Sequence, residues 1–289
     1  MSNWPGRLKR SEPPSAPQGL HYDPAFVTEA DRRELVRYLA TLHPLWEKRF
    51  SEHRPPPEGQ EQRPLLRPVY WLGNWQFACL DYYRPPHGVT DRCVKAEPFP
   101  PVIARMVSKI EAEARTLFRH PALPHGWKLN TCLINLYGRR REGDKWIDTA
   151  RVGEHKDFEP GPVASVSIGE RALFQFVTSR RPGERDGVVL QQWLDDGSLQ
   201  IFGGDKWKRN TFHRVQRVDR RAGHHFELAV EDFETRRVNL TFRYVPDEHP
   251  VRFQDLSPQA RKDVEGYVRT LAQHSPFFAR ALAKIDPKP

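Results

Sequence analysis

Cysteine and long apolar runs are both scarce in this chain of 289 residues. The three cysteines, Cys79, Cys93 and Cys132, lie far apart and are odd in number. This excludes a disulfide scaffold and a cysteine-rich zinc site, and it is typical of a reducing compartment, so we predict a cytoplasmic location. No stretch reaches the roughly 20 apolar residues of a membrane span, and residues 1–18 lack the apolar core of a secretory signal. We therefore expect no membrane association.

Acidic side chains are outnumbered by basic ones, 37 Asp and Glu against 46 Lys and Arg, which gives a net charge of +9. The 29% charged and 38% hydrophobic fractions are ordinary for a globular protein. Basic residues cluster at 139–141, 180–181, 206–209 and 217–221. Solvated loops explain any one of these clusters, whereas the four together favour a nucleic-acid partner.

Sequence patterns divide the chain into four segments. These are a disordered basic N-terminus (1–18), an N-terminal extension with a substrate lid (19–128), a core of short strands (129–245) and a C-terminal helical extension (246–289). Apolar residues recur at helical spacing at about 29–42 and 101–118. The core has nine short β-like runs separated by turn residues, which is typical of a sandwich or barrel and not of a parallel sheet. We therefore expect a mainly β fold with flanking helices.

Two histidines and an aspartate form a candidate metal site. His155 and Asp157 are separated by one residue, and His213 follows in a later β-like run. Two imidazoles and one carboxylate are the ligand set of a non-haem Fe(II) site. Alternate side chains of a strand share a face, so the first two would point the same way, with Glu159 next if the strand persists. The alternatives are an ordinary surface strand, and the histidines at 224–225 in place of His213.

Polar residues occupy one face of two predicted strands: Asn135 and Tyr137 in the first, and Arg237, Asn239 and Arg243 in the last. A buried arginine needs an anionic partner, so this face predicts a bound carboxylate or internal acids. The two arginines lie roughly 20 Å apart along an extended strand, so they would meet different ends of a site. The alternative is that they cover the solvated face of an edge strand.

Together these motifs resemble the AlkB family of 2-oxoglutarate- and Fe(II)-dependent dioxygenases. The similar segments are Asn135-Leu-Tyr137, His155-Lys-Asp157-Phe-Glu159, Ser165-Val-Ser167-Ile-Gly169, Phe174-Gln-Phe176, Phe202-Gly-Gly204, His213-Arg-Val215 and Arg237-Val-Asn-Leu-Thr-Phe-Arg243. The resemblance implies a double-stranded β-helix, or jelly roll, over 129–245 with N-terminal helices packed outside. It also implies that His155, Asp157 and His213 bind Fe(II), and that 2-oxoglutarate and O2 are co-substrates.

The same resemblance assigns roles to the polar strands. Arg237 would pair with the distal carboxylate of 2-oxoglutarate, helped by Asn135 and Tyr137. Asn239 and Arg243 would complete the pocket, with Arg243 nearer the metal. AlkB-like enzymes demethylate N-alkylated nucleobases in DNA alkylation repair and release formaldehyde, succinate and CO2. We therefore predict a monomeric dioxygenase whose partner is nucleic acid, in the first place DNA with methylated bases.

Substrate contacts follow from the resemblance as well. In AlkB-like enzymes an aromatic lid stacks on a base that is flipped out of the helix. Trp75 and Tyr82 are our candidates for that lid, although aromatic residues in such a segment are often core. Glu159 matches an acid that faces the substrate, and Arg181 lies near the position of a basic residue.

Three segments depart from the pattern of the AlkB family. Residues 139–151 and 207–210 lengthen the chain before the first and last of the predicted metal ligands, and residues 246–289 extend it. These departures leave two alternatives open. One is a hydroxylase or demethylase of RNA, protein or a small metabolite, and the other is a non-catalytic nucleic-acid-binding module.

Overall fold

A computed structural model of the protein describes residues 18–48, 58–59, 64–76, 93–178, 187–216, 226, 228 and 230–285. The strands are β1 (Leu20–Asp23), β2 (Val69–Leu72), β3 (Asn74–Gln76), β4 (Cys93–Lys95), β5 (Thr131–Glu142), β6 (Lys145–Asp148), β7 (Val152–His155), β8 (Val163–Gly169), β9 (Ala172–Val177), β10 (Val188–Leu194), β11 (Leu199–Phe202), β12 (Phe212–Gln216) and β13 (Phe233–Arg243). The helices are α1 (Glu29–Leu39), α2 (Pro101–Leu117), α3 (Pro258–Ala272) and α4 (Pro276–Ala283). No helix in these described ranges is long and apolar enough to cross a membrane.

Two antiparallel sheets form the centre of the fold. The larger has the strand order β1-β11-β8-β13-β5-β2, with β6 paired to β5, and the smaller has the order β10-β9-β12-β7. They pack face to face through apolar side chains of both, including Val163, Phe202, Phe174 and Val215. Strands that are neighbours in space come from distant parts of the chain, as in a jelly roll. The predicted fold class is confirmed.

Helices cover the outer face of the larger sheet. Thr28 caps α1, and its hydroxyl accepts from the amide of Asp31 at 3.2 Å. Ser257 caps α3 in the same way. The buried sides of the helices and alternate residues of the sheet share one core, which includes Leu35, Leu39, Ile103, Met106, Ile110, Ile134, Val166, Leu240, Val264 and Leu271. The predicted N-terminal helices outside the sheet and the C-terminal helices are confirmed.

The inner face of the larger sheet is polar over part of its area. Because side chains alternate along a strand, the residues between the core positions of β5, β8 and β13 point the other way, into the space between the sheets. They include Asn135, Ser165, Ser167, Arg237 and Asn239, which are all buried. Buried polar residues in such number are unusual in a sandwich core, so this region is a candidate functional site.

The structure differs from the strand predictions in two local segments. β5 runs past 137 and forms a hairpin with β6, which accounts for much of the long segment 139–151. Residues 205–210 form a turn of π-helix. The segment boundaries at 128 and 245 stay predictions, and the first segment, 1–18, lies outside the described residues apart from Gln18.

Candidate active site

His155, Asp157 and His213 come together at one edge of the smaller sheet. β7 pairs with β12 so that His155 lies opposite His213. β7 ends at His155, so Asp157 lies in the loop beyond it and not on the strand as predicted. One ligand atom from each of the three residues lies within 4.8 Å of the others. Such a cluster could hold a divalent metal ion.

Both imidazoles are fixed by their surroundings. His155 Nδ1 lies 2.9 Å from the carbonyl oxygen of Gly153, and with a proton there Nε2 is left for a metal. His213 is stacked on Phe174 with ring centroids 5.4 Å apart. Burial, with His213 adding to it, lowers the pKa of His155 to about 3. The ring is therefore neutral near pH 7, which is the form that binds metals.

Asp157 is held by an arginine. Its Oδ1 accepts from Arg243 Nε at 2.9 Å and from Nη2 at 2.8 Å. Burial alone would raise the pKa of Asp157, but Arg243 and His213 hold it well below its usual range. The carboxylate is therefore ionised, with Oδ2 3.4 Å from His213 Nε2. Arg243 Nε also lies 3.5 Å from Glu159 Oε1.

Arg237 lies at the other end of the polar face. It is 3% exposed, and its Nη2 donates to Ser167 Oγ at 3.0 Å. Its Cζ lies 4.7 Å from the centre of the Tyr137 ring. Its Nε and Nη1 have no acceptor among the described residues. Burial lowers the pKa of Arg237, and Tyr137 partly opposes this. A buried guanidinium with two donor nitrogens unsatisfied among the described residues is suited to an anion from outside the chain.

One cavity of about 820 Å³ joins these groups. Eight of the residues singled out in the sequence line it: Asn135, Tyr137, His155, Asp157, His213, Arg237, Asn239 and Arg243. Asn239 donates to Ser165 Oγ at 2.8 Å and accepts from Thr241, so its amide is oriented. The cavity thus has a candidate metal cluster at one end and a buried cation at the other.

The predicted substrate residues are placed less favourably. Trp75 is 1% exposed, donates to Glu47 and packs against Phe278. It is therefore core, the alternative considered for it, and it has no free ring face to stack on a base. Glu159 is buried beside Arg243 and lines a neighbouring cavity of about 860 Å³, which His155 and Asp157 also line. Tyr82 and Arg181 lie outside the described residues.

Four further residues contribute to the site. Arg67 donates to Asn135 Oδ1 at 2.7 Å and lies over the Tyr137 ring. Glu47 and Trp71 line the cavity from the N-terminal extension. Lys208 donates to the carbonyl oxygens of Glu159 and Gly161 and so fixes the loop that carries Asp157. Lys208 belongs to the basic cluster at 206–209 that the sequence singles out.

Sequence comparison finds related proteins over the same region. Residues 19–243 match the sequence profile of the 2OG-Fe(II) oxygenase superfamily. Over 121 residues the chain is 31% identical to the DNA N(6)-methyladenine demethylase ALKBH1D of Arabidopsis thaliana. That match covers 39% of this chain and 24% of the relative, so the chain spans about a quarter of the length of this curated protein.

Solved structures are similar at lower identity. OsALKBH1 is 21% identical with a TM-score of 0.48, over 79% of this chain and 99% of that chain. An oxidoreductase of the 2OG-Fe(II) oxygenase family from Burkholderia pseudomallei is 11% identical with a TM-score of 0.36, over 81% of this chain and 88% of the other.

Proposed function

Because the chain belongs to the 2OG-Fe(II) oxygenase superfamily, we propose that it uses Fe(II), 2-oxoglutarate and O2 to demethylate N-methylated nucleobases, in the first place in DNA. The membership confirms the enzyme class predicted from the motifs, a 2-oxoglutarate- and Fe(II)-dependent dioxygenase. The similarity to ALKBH1D supports the resemblance to the AlkB family. The substrate belongs to the proposal, since the chain spans only part of that relative.

A single observation carries the proposal. A cluster of two imidazoles and an ionised carboxylate shares one cavity with a buried arginine whose Nε and Nη1 have no acceptor among the described residues. The donor set fits Fe(II), which His155, Asp157 and His213 would hold on one face. The guanidinium of Arg237 fits the distal carboxylate of 2-oxoglutarate, whose other end would reach the metal.

The residues of the chain would bind and orient the metal and the co-substrate, and they would exclude water from the site. When bound, Fe(II), 2-oxoglutarate and O2 supply the oxidation of an N-methyl C–H bond, with succinate and CO2 as co-products and formaldehyde released from the hydroxylated methyl group. Arg243 would keep Asp157 ionised and correctly turned toward the metal. Phe174 and Phe202 line the cavity next to His213 and would keep that wall dry.

Two observations favour nucleic acid as the substrate. The Arabidopsis relative is a DNA demethylase, and the net charge of +9 favours a polyanion. A hydroxylase or demethylase of RNA, protein or a small metabolite is the main alternative. A non-catalytic binding module is disfavoured, since it has no use for the metal cluster. The monomeric state and the cytoplasmic location stay predictions.

The experiment is a turnover assay on oligonucleotides that carry N6-methyladenine, 1-methyladenine or 3-methylcytosine. With Fe(II), 2-oxoglutarate and O2, mass spectrometry should show loss of a methyl group, with formaldehyde and succinate in equal amounts. Succinate formed without any demethylated base, in both DNA and RNA oligonucleotides, would instead favour a protein or small-molecule substrate.

Lys208 gives a prediction about the loop of Asp157. A Lys208→Met variant keeps the apolar stem but loses both hydrogen bonds to the loop carbonyls. Loss of a hydrogen bond that helps to position a metal ligand commonly costs 10–100-fold in metal affinity. We therefore expect Fe(II) affinity to fall by about tenfold or more. Anaerobic Fe(II) titration measures it, and Lys206→Met, at an exposed neighbour, is the matched control. Equal affinity in the two variants would contradict the role.

A further inference from the structure

We propose that the hairpin formed by β5 and β6 binds single-stranded nucleic acid outside the cavity, with Trp146 stacking on an unpaired base and arginines on the same face contacting phosphates. The inference rests on the proposed function and adds a second contact site for the same substrate. The hairpin accounts for much of the segment 139–151, which lengthens the chain relative to the AlkB pattern. Its tip lines neither of the two cavities described above.

Strand register places three residues of the hairpin on one face. Side chains alternate along β5, so Arg139 and Arg141 point to the same side as Tyr137, which lines the cavity. Trp146 lies opposite Arg141 in β6, and opposite residues of an antiparallel pair share a face. Arg139 Cζ lies 5.0 Å from the centre of the Trp146 ring, in agreement with this placement. Arg139, Arg141 and Trp146 thus form a hairpin face that extends the cavity wall outward.

Trp146 presents an aromatic ring in a fixed position. It is 45% exposed, so a partner could still bury much of its apolar surface. The guanidinium of Arg139 lies over the ring, and Arg139 is itself held by Glu234, whose Oε2 accepts from Arg139 Nε at 2.6 Å. A base can therefore stack on the ring at little ordering cost.

The charge around the ring is suited to phosphates. Residues 139–151 include five basic and three acidic side chains. Of the acids, Asp148 pairs with an arginine of β13 at 2.8 Å, and Glu142 points to the opposite face from Arg141. Arg141 is exposed, as is Arg151, which lines the cavity. Cations beside an exposed aromatic ring are typical of single-strand binding surfaces.

A protein partner matches the hairpin less well. Its exposed large apolar side chains are Trp146 and Ile147, at 45% and 42%. They are consecutive in β6, so they point to opposite faces and form no continuous apolar patch. Stable protein interfaces bury at least about 1,000 Å² around an apolar core. One ring beside cations is enough for an unpaired base, whereas the bases of a duplex are already stacked.

The hairpin face lies far from the metal cluster. At one end of β5, Thr131 lies opposite Arg243, which holds the candidate ligand Asp157. At the other end, Arg141 lies opposite Trp146. Ten steps of about 3.3 Å separate the two ends, roughly 30 Å. A trinucleotide at about 3.4 Å per stacked nucleotide cannot span that distance, whereas a strand of 20 nucleotides can. The hairpin should therefore act only on long substrates.

The test compares substrates of different length and strandedness. Fluorescence anisotropy on protein with Mn(II) and N-oxalylglycine would follow four probes. These are a methylated trinucleotide, a methylated 20-nucleotide single strand, its duplex and the unmethylated single strand, with 1-methyladenine as the methylated base. Trp146→Ala should lower affinity for both long single strands by at least about fivefold, as expected for a lost base–aromatic stack. The trinucleotide and the duplex should change by less than about twofold.

Three further variants distinguish stacking from loss of fold. Trp146→Phe keeps an aromatic ring and should restore most of the affinity. Ile147→Ala, on the opposite face of the same hairpin, is the matched control and should bind as wild type does. Arg141→Gln should reduce the slope of log affinity against log salt by about 0.7.

Several results would overturn the hairpin face. They are unchanged long-strand affinity in Trp146→Ala, an equal loss in Ile147→Ala, no recovery in Trp146→Phe, or a loss that extends to the trinucleotide or the duplex. Turnover separates this inference from the proposed function. Long-strand binding that depends on Trp146, without any demethylation, would support the hairpin face and refute the proposed function. Demethylation with the same long-strand KM in wild type and Trp146→Ala would do the reverse.

Discussion

A His155→Ala protein is expected to lose more than about 100-fold in Fe(II) affinity and to show no turnover above background. The side chain would supply one of three protein ligands to the metal. Loss of a hydrogen bond that merely orients such a ligand already costs about 10–100-fold in metal affinity, so loss of the ligand itself should cost more. Its Nδ1 lies against Gly153, so the other nitrogen is the one free for the metal. Anaerobic titration with Fe(II), followed by absorbance in the presence of 2-oxoglutarate, gives the affinity directly.

His155→Ala is a cleaner test than a change at Asp157. Asp157 is the closest carboxylate to Arg243, which is 4% exposed, so Asp157→Ala also removes half of a buried ion pair. Breaking such a pair costs up to about 3–5 kcal/mol of folding free energy. Among the described residues, His155 forms no ion pair with an arginine or lysine that its removal would break. His125→Ala, at an exposed histidine, is the control. Unchanged Fe(II) affinity in His155→Ala would show that the metal does not bind in this cavity.

Much of the site could be read from the sequence because its signals are local. Alternation along a strand places Arg237, Asn239 and Arg243 on one face whatever the partner strands are. The structure has all three lining the cavity, as it has Asn135 and Tyr137. The predicted separation of the two arginines also follows from the rise per residue alone. What decides these positions is the covalent geometry of the chain.

Features that depend on long-range pairing could not be read in this way. The sequence pattern predicts Asp157 on a strand, whereas β7 ends at His155. The carboxylate of Asp157 is held by Arg243, which lies 86 residues later in the chain. Trp75 had the composition of a lid residue and is core, because Glu47 and the C-terminal helix α4 cover it. Arg67 reaches Asn135 only through the pairing of β2 with β5. The two partners of each of these contacts are too far apart in the sequence to lie in one short window.

An Arg237→Met protein should lose 2-oxoglutarate affinity by roughly 10- to 150-fold, since hydrogen bonds to charged groups contribute about 1.5–3 kcal/mol. Fe(II) affinity should stay within about twofold, because Arg237 touches Ser167 and Tyr137 and none of the three ligands. Calorimetric titration of 2-oxoglutarate into the Mn(II)-loaded protein, under anaerobic conditions, separates the two effects. The matched control is Arg236→Met, the adjacent residue on the opposite face of β13, which pairs with Asp148 at 2.8 Å.

Stability makes the Arg237 prediction more discriminating. Two nitrogens of this buried guanidinium, Nε and Nη1, lack acceptors among the described residues. Its removal therefore takes away a desolvated charge that these residues satisfy only in part. The ligand-free Arg237→Met protein should therefore melt at or above the wild-type Tm, while the rise in Tm on adding 2-oxoglutarate should largely vanish. Arg236→Met should do the reverse, with a lower Tm and an intact response to 2-oxoglutarate. If Arg237→Met instead melts early and still responds fully, the arginine is structural and the co-substrate binds elsewhere.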